Sequence, residues 1–162
     1  MYVQSSHVPE LGPRGEGWVA IQLVLFAAIV GCGFVDVYWP HSLESFLAVL
    51  GLVIGVVGLV VLVFGAISLG QSFTPLPRPH ARAELREHGA FRIVRHPIYG
   101  GIVLVALGWS VADAPLALVP TALLAFVFDL KARREEAWLV ERYPEYAAYL
   151  ERTPHRFVPG LY

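Results

Sequence analysis

Charged side chains are scarce in this sequence. Only 15% of its 162 residues are Asp, Glu, Lys or Arg, while 56% are hydrophobic, and ordinary soluble domains carry about 25% charged residues. So few charges cannot cover a globular surface unless lipid replaces much of the water. The formal net charge is −1, which gives no reason to expect a nucleic-acid partner.

Cysteine and metal-ligand patterns are also nearly absent. The single cysteine, Cys32, excludes an intramolecular disulfide and is interpreted as a small packing residue within an apolar run. The six histidines include no pair spaced His-x-x-x-His, so no metal site is expected. No glycine-rich loop lies between a strand and a helix, which argues against a Rossmann or P-loop nucleotide site.

Long uncharged runs are what the sequence does contain. Residues 18–35 have Gln22 as their one polar side chain, and residues 46–69 have only Ser68. The third apolar zone is interrupted at residues 113–115, which divides it into spans at 98–112 and 116–128. About 20 apolar residues cross a bilayer. The first run begins late and lacks a basic leader, so it is expected to be a span rather than a signal peptide.

The fold expected from these runs is all-α. We predict one membrane domain over residues 1–162, with four transmembrane helices and a cytoplasmic C-terminal helix. The 12 basic residues support this number of spans, because one precedes the first span, five lie in residues 70–97 and six follow residue 128. Four spans place all of them on one side, and the positive-inside rule makes that side cytoplasmic.

Proline and glycine predict further details. Three prolines, Pro75, Pro77 and Pro79, favour an extended strap in the loop between the second and third spans. Glycines at helical spacing in spans two and three favour close packing between them, although glycine is also a common guest in membrane helices. After residue 128 the helix is expected to project into the cytoplasm over residues 129–143, and a short helix over 144–152 is expected to have Pro144 in its first turn.

Two stretches could carry chemistry. In the first, Pro97 suits an initial helical position, so His96 would lie near the cap beside free backbone N–H groups that attract anions. An interfacial anchor would explain Arg95 and Tyr99 equally well, but not the His-Pro pair. The second stretch, residues 131–139, is by itself more typical of a solvated, salt-bridged helix, with the side chains of residues 131 and 135 on one face.

Several motifs in these stretches resemble the isoprenylcysteine carboxyl methyltransferase family, membrane enzymes related to phospholipid methyltransferases. The similarity covers about residues 70–160. Its motifs are Gly89-x-Phe91, Arg95-His96-Pro97-x-Tyr99-x-Gly101, Glu135-Glu136-x-x-Leu139, Tyr146-x-x-Tyr149 and Arg156-Phe157-Val158-Pro159.

The resemblance implies S-adenosylmethionine as cofactor, bound where the loop, the start of a span and the tail enclose a cytoplasmic pocket. It implies cofactor contacts by Leu85, Phe91, His96, Pro97, Ile98, Tyr99, Gly101, Glu135 and Glu136, with catalytic roles for Arg95, His96 and Lys131. Glu136 is expected to have only a supporting or surface role. Lys131 departs from the family, which often carries a substrate-facing arginine at that place.

The function expected on these grounds is methyl transfer to a lipophilic acceptor resembling an isoprenylcysteine carboxylate. Membrane lipid and a lipophilic or lipidated acceptor would be its partners. Aromatic rings such as Phe91 and Tyr99 suit the base and sulfonium of the cofactor, and Glu135 suits its hydroxyl or ammonium groups. Two alternatives remain open: a nicotinamide-dependent membrane reductase, and a non-enzymatic adaptor whose basic loop binds anionic lipid.

Overall fold

The computed structural model describes residues 8–70, 76, 78 and 85–160. Within this part of the chain every regular element is helical. The helices are α1 (Glu16–Cys32), α2 (His41–Leu69), α3 (Pro97–Ala112), α4 (Leu118–Arg142) and α5 (Tyr146–Arg152), and short 3-10 helices occupy Gly89–Arg92 and Pro115–Ala117. The expectation of an all-α chain is confirmed, whereas the extended strap at Pro75, Pro77 and Pro79 lies outside the described residues.

Helices α2 and α3 form an antiparallel pair whose backbones approach closely. A Cβ added at Gly58 would come within 2.6 Å of the Val105 nitrogen, and one at Gly101 within 2.6 Å of the Leu62 nitrogen. Near the other end of the pair, Gly108 lies directly against the backbone of Gly55. The predicted packing of spans two and three is therefore confirmed, since small residues are what allow this approach.

Helix α1 packs against α4 rather than α2. Its inward side carries Trp18 and Ile29, which are buried. Ile29 belongs to an apolar core with Leu124 and Phe128 of α4 and Ala106 of α3. The polar ends of α1, α3 and α4 consequently lie together at one end of the molecule, which positions the site described below.

The outer faces of the helices are apolar and suit contact with lipid. Helices His41–Leu69 and Pro115–Arg142 (the latter counting the preceding 3-10 turn) are long and apolar enough to cross a membrane by length and composition, and Glu16–Cys32 and Pro97–Ala112 are apolar but shorter. Helix α2 in particular exposes large side chains, including Leu52, Val60 and Ile67. Large apolar side chains exposed along the length of a helix mark a membrane or partner interface.

The structure corrects two boundaries near the chain ends. The short helix begins at Tyr146, so Pro144 lies before it rather than in its first turn. Helix α1 begins at Glu16, and the segment before it packs onto α4 through an ion pair between Glu10 and Arg134. The long α4 ends at Arg142, where residue 143 turns extended, so the expectation of a helix continuing past residue 128 is confirmed.

Candidate active site

The candidate site lies where the start of α3 meets the C-terminal tail. The Arg95 and His96 backbone N–H groups donate to the carbonyl oxygens of His155 and Arg156, at 3.1 and 2.9 Å. The Arg95 guanidinium also donates to the Thr153 carbonyl at 2.7 Å. The backbone N–H groups of Arg95 and His96 therefore hold the tail against the start of α3, while an anion at the helix start beside His96 stays a prediction.

Glu136 of α4 is the charged centre of this junction. Its Oε1 accepts from Arg95 Nε at 2.7 Å and lies 3.1 Å from His96 Nε2. Arg156 of the tail donates to both of its carboxylate oxygens and, through Nη1, to Asp129 at 2.8 Å. Glu136 is fully buried, so the sequence-based expectation of a surface role is wrong and the supporting role fits its contacts.

The charge on Glu136 is strongly stabilised. Burial alone would raise the pKa of its carboxyl, but the hydrogen bonds and charges of His96 and Arg156 outweigh that effect and hold the pKa well below the ordinary value. A buried carboxylate remains ionised only when such partners compensate its lost hydration. Glu136 therefore links α4, the start of α3 and the tail as a permanent negative charge.

Glu135, the neighbouring carboxylate, faces the aromatic side of the site. Its Oε2 accepts from the Tyr99 hydroxyl at 2.8 Å and lies 3.9 Å from His96 Nδ1. The rings of His96 and Tyr99 are stacked, with centroids 5.4 Å apart, and Tyr99 stacks in turn on Phe128 at 4.7 Å. His96 is thus held between two glutamates and against an aromatic face.

The surroundings of Glu135 differ from those of Glu136. Burial raises the pKa of the Glu135 carboxyl, and the nearby His96, Tyr99 and Lys131 only partly oppose that rise. Its side chain is still 26% exposed, against 1% for Glu136. Of the two carboxylates, Glu135 is the one that a ligand can reach.

Lys131 lies one helical turn before Glu135 and is almost completely buried, with 1% of its surface exposed. Its ammonium donates to Gln22 Oε1 of α1 at 2.8 Å and lies 5.0 Å from the centre of the Tyr99 ring. The solvated, salt-bridged helix that residues 131–139 suggested by themselves is therefore wrong. This part of α4 is the inner wall of a site.

The remaining predicted residues occupy less direct positions. Phe91 is buried, and its carbonyl accepts from the Tyr149 hydroxyl at 2.7 Å. Leu85 is half-buried just before the first 3-10 helix. Pro97 and Ile98 pack against Gly65 of α2, and Gly101 belongs to the α2–α3 contact described above. These five residues remain predictions as cofactor contacts.

Two residues that contribute to the site were missing from the sequence-based set. Arg156 was part of a family motif but received no role, because its distance in sequence from Glu136 hides the ion pair. Gln22 was noted only as the polar exception in the first apolar run. An isolated polar residue in such a run is a usable signal, because lipid offers it no hydrogen-bond partner.

The chain is similar to known methyltransferases over most of its length. A family model described as phospholipid methyltransferase matches residues 46–146. Two probable protein-S-isoprenylcysteine O-methyltransferases, from Oryza sativa subsp. indica and subsp. japonica, are each 30% identical over 129 residues, covering 76% of this chain and 64% of theirs. The cobalt-zinc-cadmium resistance protein CzcN of Cupriavidus metallidurans is 36% identical over 75 residues, which is 45% of this chain and 34% of CzcN.

The chain thus spans a little less than two thirds of the length of the rice proteins that it matches. None of these matches points to a nicotinamide-dependent reductase or to a lipid-binding adaptor.

Proposed function

This chain belongs to the phospholipid methyltransferase family, and from that membership we propose that it transfers the methyl group of S-adenosylmethionine to a lipophilic acceptor. The acceptor group that we propose is a carboxylate like that of isoprenylcysteine, named in the rice relatives. The observation that carries the proposal is the convergence of His96, Tyr99 and Glu135 at one junction.

The residues at this junction fit the cofactor. Glu135 keeps part of its carboxylate accessible, although Tyr99 already donates to one oxygen. Such a carboxylate can accept hydrogen bonds from ribose hydroxyls or an ammonium group. The rings of His96 and Phe157 lie 6.0 Å apart beside the stacked Tyr99, and aromatic rings suit an aromatic base or a sulfonium cation. We propose that Glu135 and these rings hold S-adenosylmethionine.

When bound, S-adenosylmethionine supplies a methyl group attached to a positively charged sulfur. The protein has to bring an acceptor oxygen into line with it and exclude water, which is mainly a task of positioning. A carboxylate is already a nucleophile and needs no base. Lys131 would hold its negative charge, while Glu136 and Arg95 keep His96 in place. For an amine acceptor, His96 would be the candidate base.

Four spans with a cytoplasmic site complete the proposal. All 12 basic residues lie at one end of a four-span arrangement, and the positive-inside rule orients that end. Helices of 17 and 16 residues are short for a bilayer, about 25 Å at 1.5 Å per residue. Local thinning or displacement toward one interface can accommodate such lengths.

The acceptor's lipid tail has a place beside the site. An apolar cleft of about 200 Å³ lies between α1, α2 and α3, lined by Phe26, Ile102 and Trp109 among others. Phe26 and Ile102 form the end of the cleft nearer the polar site, because Phe26 is one helical turn beyond Gln22 and Ile102 is about one turn beyond Tyr99. We propose that the tail enters this cleft sideways from the lipid.

The first experiment is a calorimetric titration of the purified protein with S-adenosylhomocysteine. We expect Glu135→Gln to weaken binding about ten-fold or more, because a hydrogen bond to a charged group contributes about 1.5–3 kcal/mol. Glu141→Gln, at an exposed position on the same helix, is the matched control and should leave affinity unchanged. Equal affinity of the Glu135 variant and the parent would refute the assigned cofactor contact.

A further inference from the structure

Helix α1 contributes to the site, although it lies outside the matched methyltransferase region. The family match begins at residue 46, whereas Gln22 in α1 accepts the hydrogen bond of Lys131 at 2.8 Å. The contact joins positions 109 residues apart in sequence. The matched region therefore does not by itself account for the surroundings of Lys131.

Lys131 carries a buried positive charge beside aromatic rings. Its ammonium lies 5.0 Å from the Tyr99 ring centre and 5.7 Å from that of Phe128. Burial lowers the pKa of Lys131 to about 8, and the negative charge of the nearby Glu135 opposes that lowering. Because burial still outweighs these contacts, a second carboxylate beside the ammonium would stabilise its charge further.

Trp18 adds a second donor on the same face of α1. It precedes Gln22 by four residues, one helical turn, and is only 2% exposed. Its indole Nε1 is buried and has no hydrogen-bond partner among the residues that the structure describes. Buried donors are nearly always paired in folded proteins, and a carboxylate oxygen of a bound acceptor would supply the missing partner.

We propose that Gln22 and Trp18 form, with Lys131, the subsite that selects an anionic head group on the methyl acceptor. This inference rests on the proposed function and extends it to α1. Gln22 orients the ammonium through its amide oxygen and offers its amide N–H to the acceptor, while the Trp18 indole donates to the same carboxylate. A neutral head group would bring no additional negative charge to these donors.

The first test is Gln22→Leu, assayed with S-farnesyl-N-acetylcysteine as acceptor. We expect KM for this carboxylate to rise about ten-fold, with the dissociation constant of S-adenosylhomocysteine changed less than about two-fold. Thr121→Val is the matched control, because it removes a buried inter-element hydrogen bond to Ser110 away from the site. It should change neither quantity.

The second test distinguishes selection from mere support of Lys131. Gln22→Glu would place a negative charge beside the Lys131 ammonium. Acceptors with an anionic head group should then bind less tightly, while the affinity for neutral head groups should be unchanged. We compare S-farnesyl-N-acetylcysteine with its carboxamide as a competitive inhibitor. The parent should prefer the carboxylate about ten-fold or more, and Gln22→Glu should abolish that preference. A purely structural role predicts equal losses for both ligands.

A further variant, Trp18→Phe, keeps an aromatic ring, although a smaller one, but removes the N–H donor and should raise KM for the carboxylate alone. The inference would be overturned if Gln22→Leu left KM unchanged, or if Gln22→Glu left the preference for the carboxylate unchanged. The proposed function would still stand in either case, provided that the parent binds S-adenosylhomocysteine. Failure of the parent to bind S-adenosylhomocysteine would overturn both.

Discussion

A fully buried carboxylate must be compensated by positive charge and hydrogen bonds, and at Glu136 three side chains supply them. Arg95 and His96 come from the start of α3 and Arg156 from the tail. Removing one member of such a buried network leaves the other charges without a partner. The resulting loss of stability exceeds the stability that the intact network adds over an apolar core of the same shape. The residue therefore determines how firmly the tail is attached to the helices.

We expect Glu136→Gln to destabilise the protein by about 3–5 kcal/mol, because it removes the carboxylate that compensates the buried Arg95 guanidinium. Thermal unfolding in detergent measures the effect, with the exposed Glu141→Gln expected to stay within about 0.5 kcal/mol of the parent. A variant as stable as the parent would show that the ion cluster contributes nothing to the fold.

The pH dependence of this stability follows from the lowered pKa of Glu136. A carboxyl whose pKa is depressed by folding stabilises the folded state above its unfolded pKa and loses that effect as pH falls through the folded value. The difference in unfolding temperature between parent and variant should therefore persist through the neutral range and close only in strong acid.

At the residue scale, sequence reasoning located the junction only in part. The His-Pro pair predicted the start of α3, and the helix does begin at Pro97 with His96 before it. Lys131 and Glu135 were selected by the family resemblance, because their spacing alone favoured a solvated helix. For Glu136 a supporting or surface role was expected, and its complete burial excludes the surface role. Only the returning tail buries it, and no local periodicity records where a tail will pack.

At the scale of elements, glycine spacing was the most informative signal. Gly51, Gly55 and Gly58 fall on one face of α2, and the structure places that face against α3. The break at residues 113–115 likewise became the 3-10 turn Pro115–Ala117 between α3 and α4. The start of α5 was predicted less well, because a proline such as Pro144 can lie just before a helix as readily as in its first turn.

Antiparallel packing fixes the directions of neighbouring helices relative to one another. Which end of the helices faces the cytoplasm is a separate question, and labelling of introduced cysteines can answer it. We expect a cysteine at Ser42, exposed before the apolar part of α2, to react with a membrane-impermeant reagent from outside. A cysteine at His88, exposed before α3, should react only after the cytoplasmic face is opened. Both are introduced into a Cys32→Ala background, and labelling of both from one side would contradict four spans.

For the molecule as a whole, the arrangement of helices could not be read from the chain. Four apolar runs predicted four helices, yet nothing in them indicated that α1 would pack on α4. That pairing buries Ile29 and Leu124 in one apolar core, and hydropathy does not record which helices will share a core. It nevertheless creates the Gln22–Lys131 contact, and the same helix α1 forms one wall of the apolar cleft.

The position of the cleft leads to a prediction about the acceptor. Each buried methylene contributes about 0.8 kcal/mol, which is close to a four-fold gain in affinity. For acceptors with one carboxylate head group and increasing tail length, kcat/KM should therefore rise steeply and then level off once the tail extends beyond the cleft. The assay uses radiolabelled S-adenosylmethionine with the protein in detergent or bilayers.

A substitution inside the cleft separates this effect from simple partitioning of long tails into detergent. Val105 lines the cleft and is 36% exposed, so Val105→Trp should narrow it and flatten the dependence on tail length. Val53→Trp, on a lipid-facing part of α2 that is 55% exposed, should leave the dependence as steep as in the parent. Equal turnover of a tailless acceptor and a fifteen-carbon one would defeat lateral entry, while binding of S-adenosylhomocysteine would be unaffected.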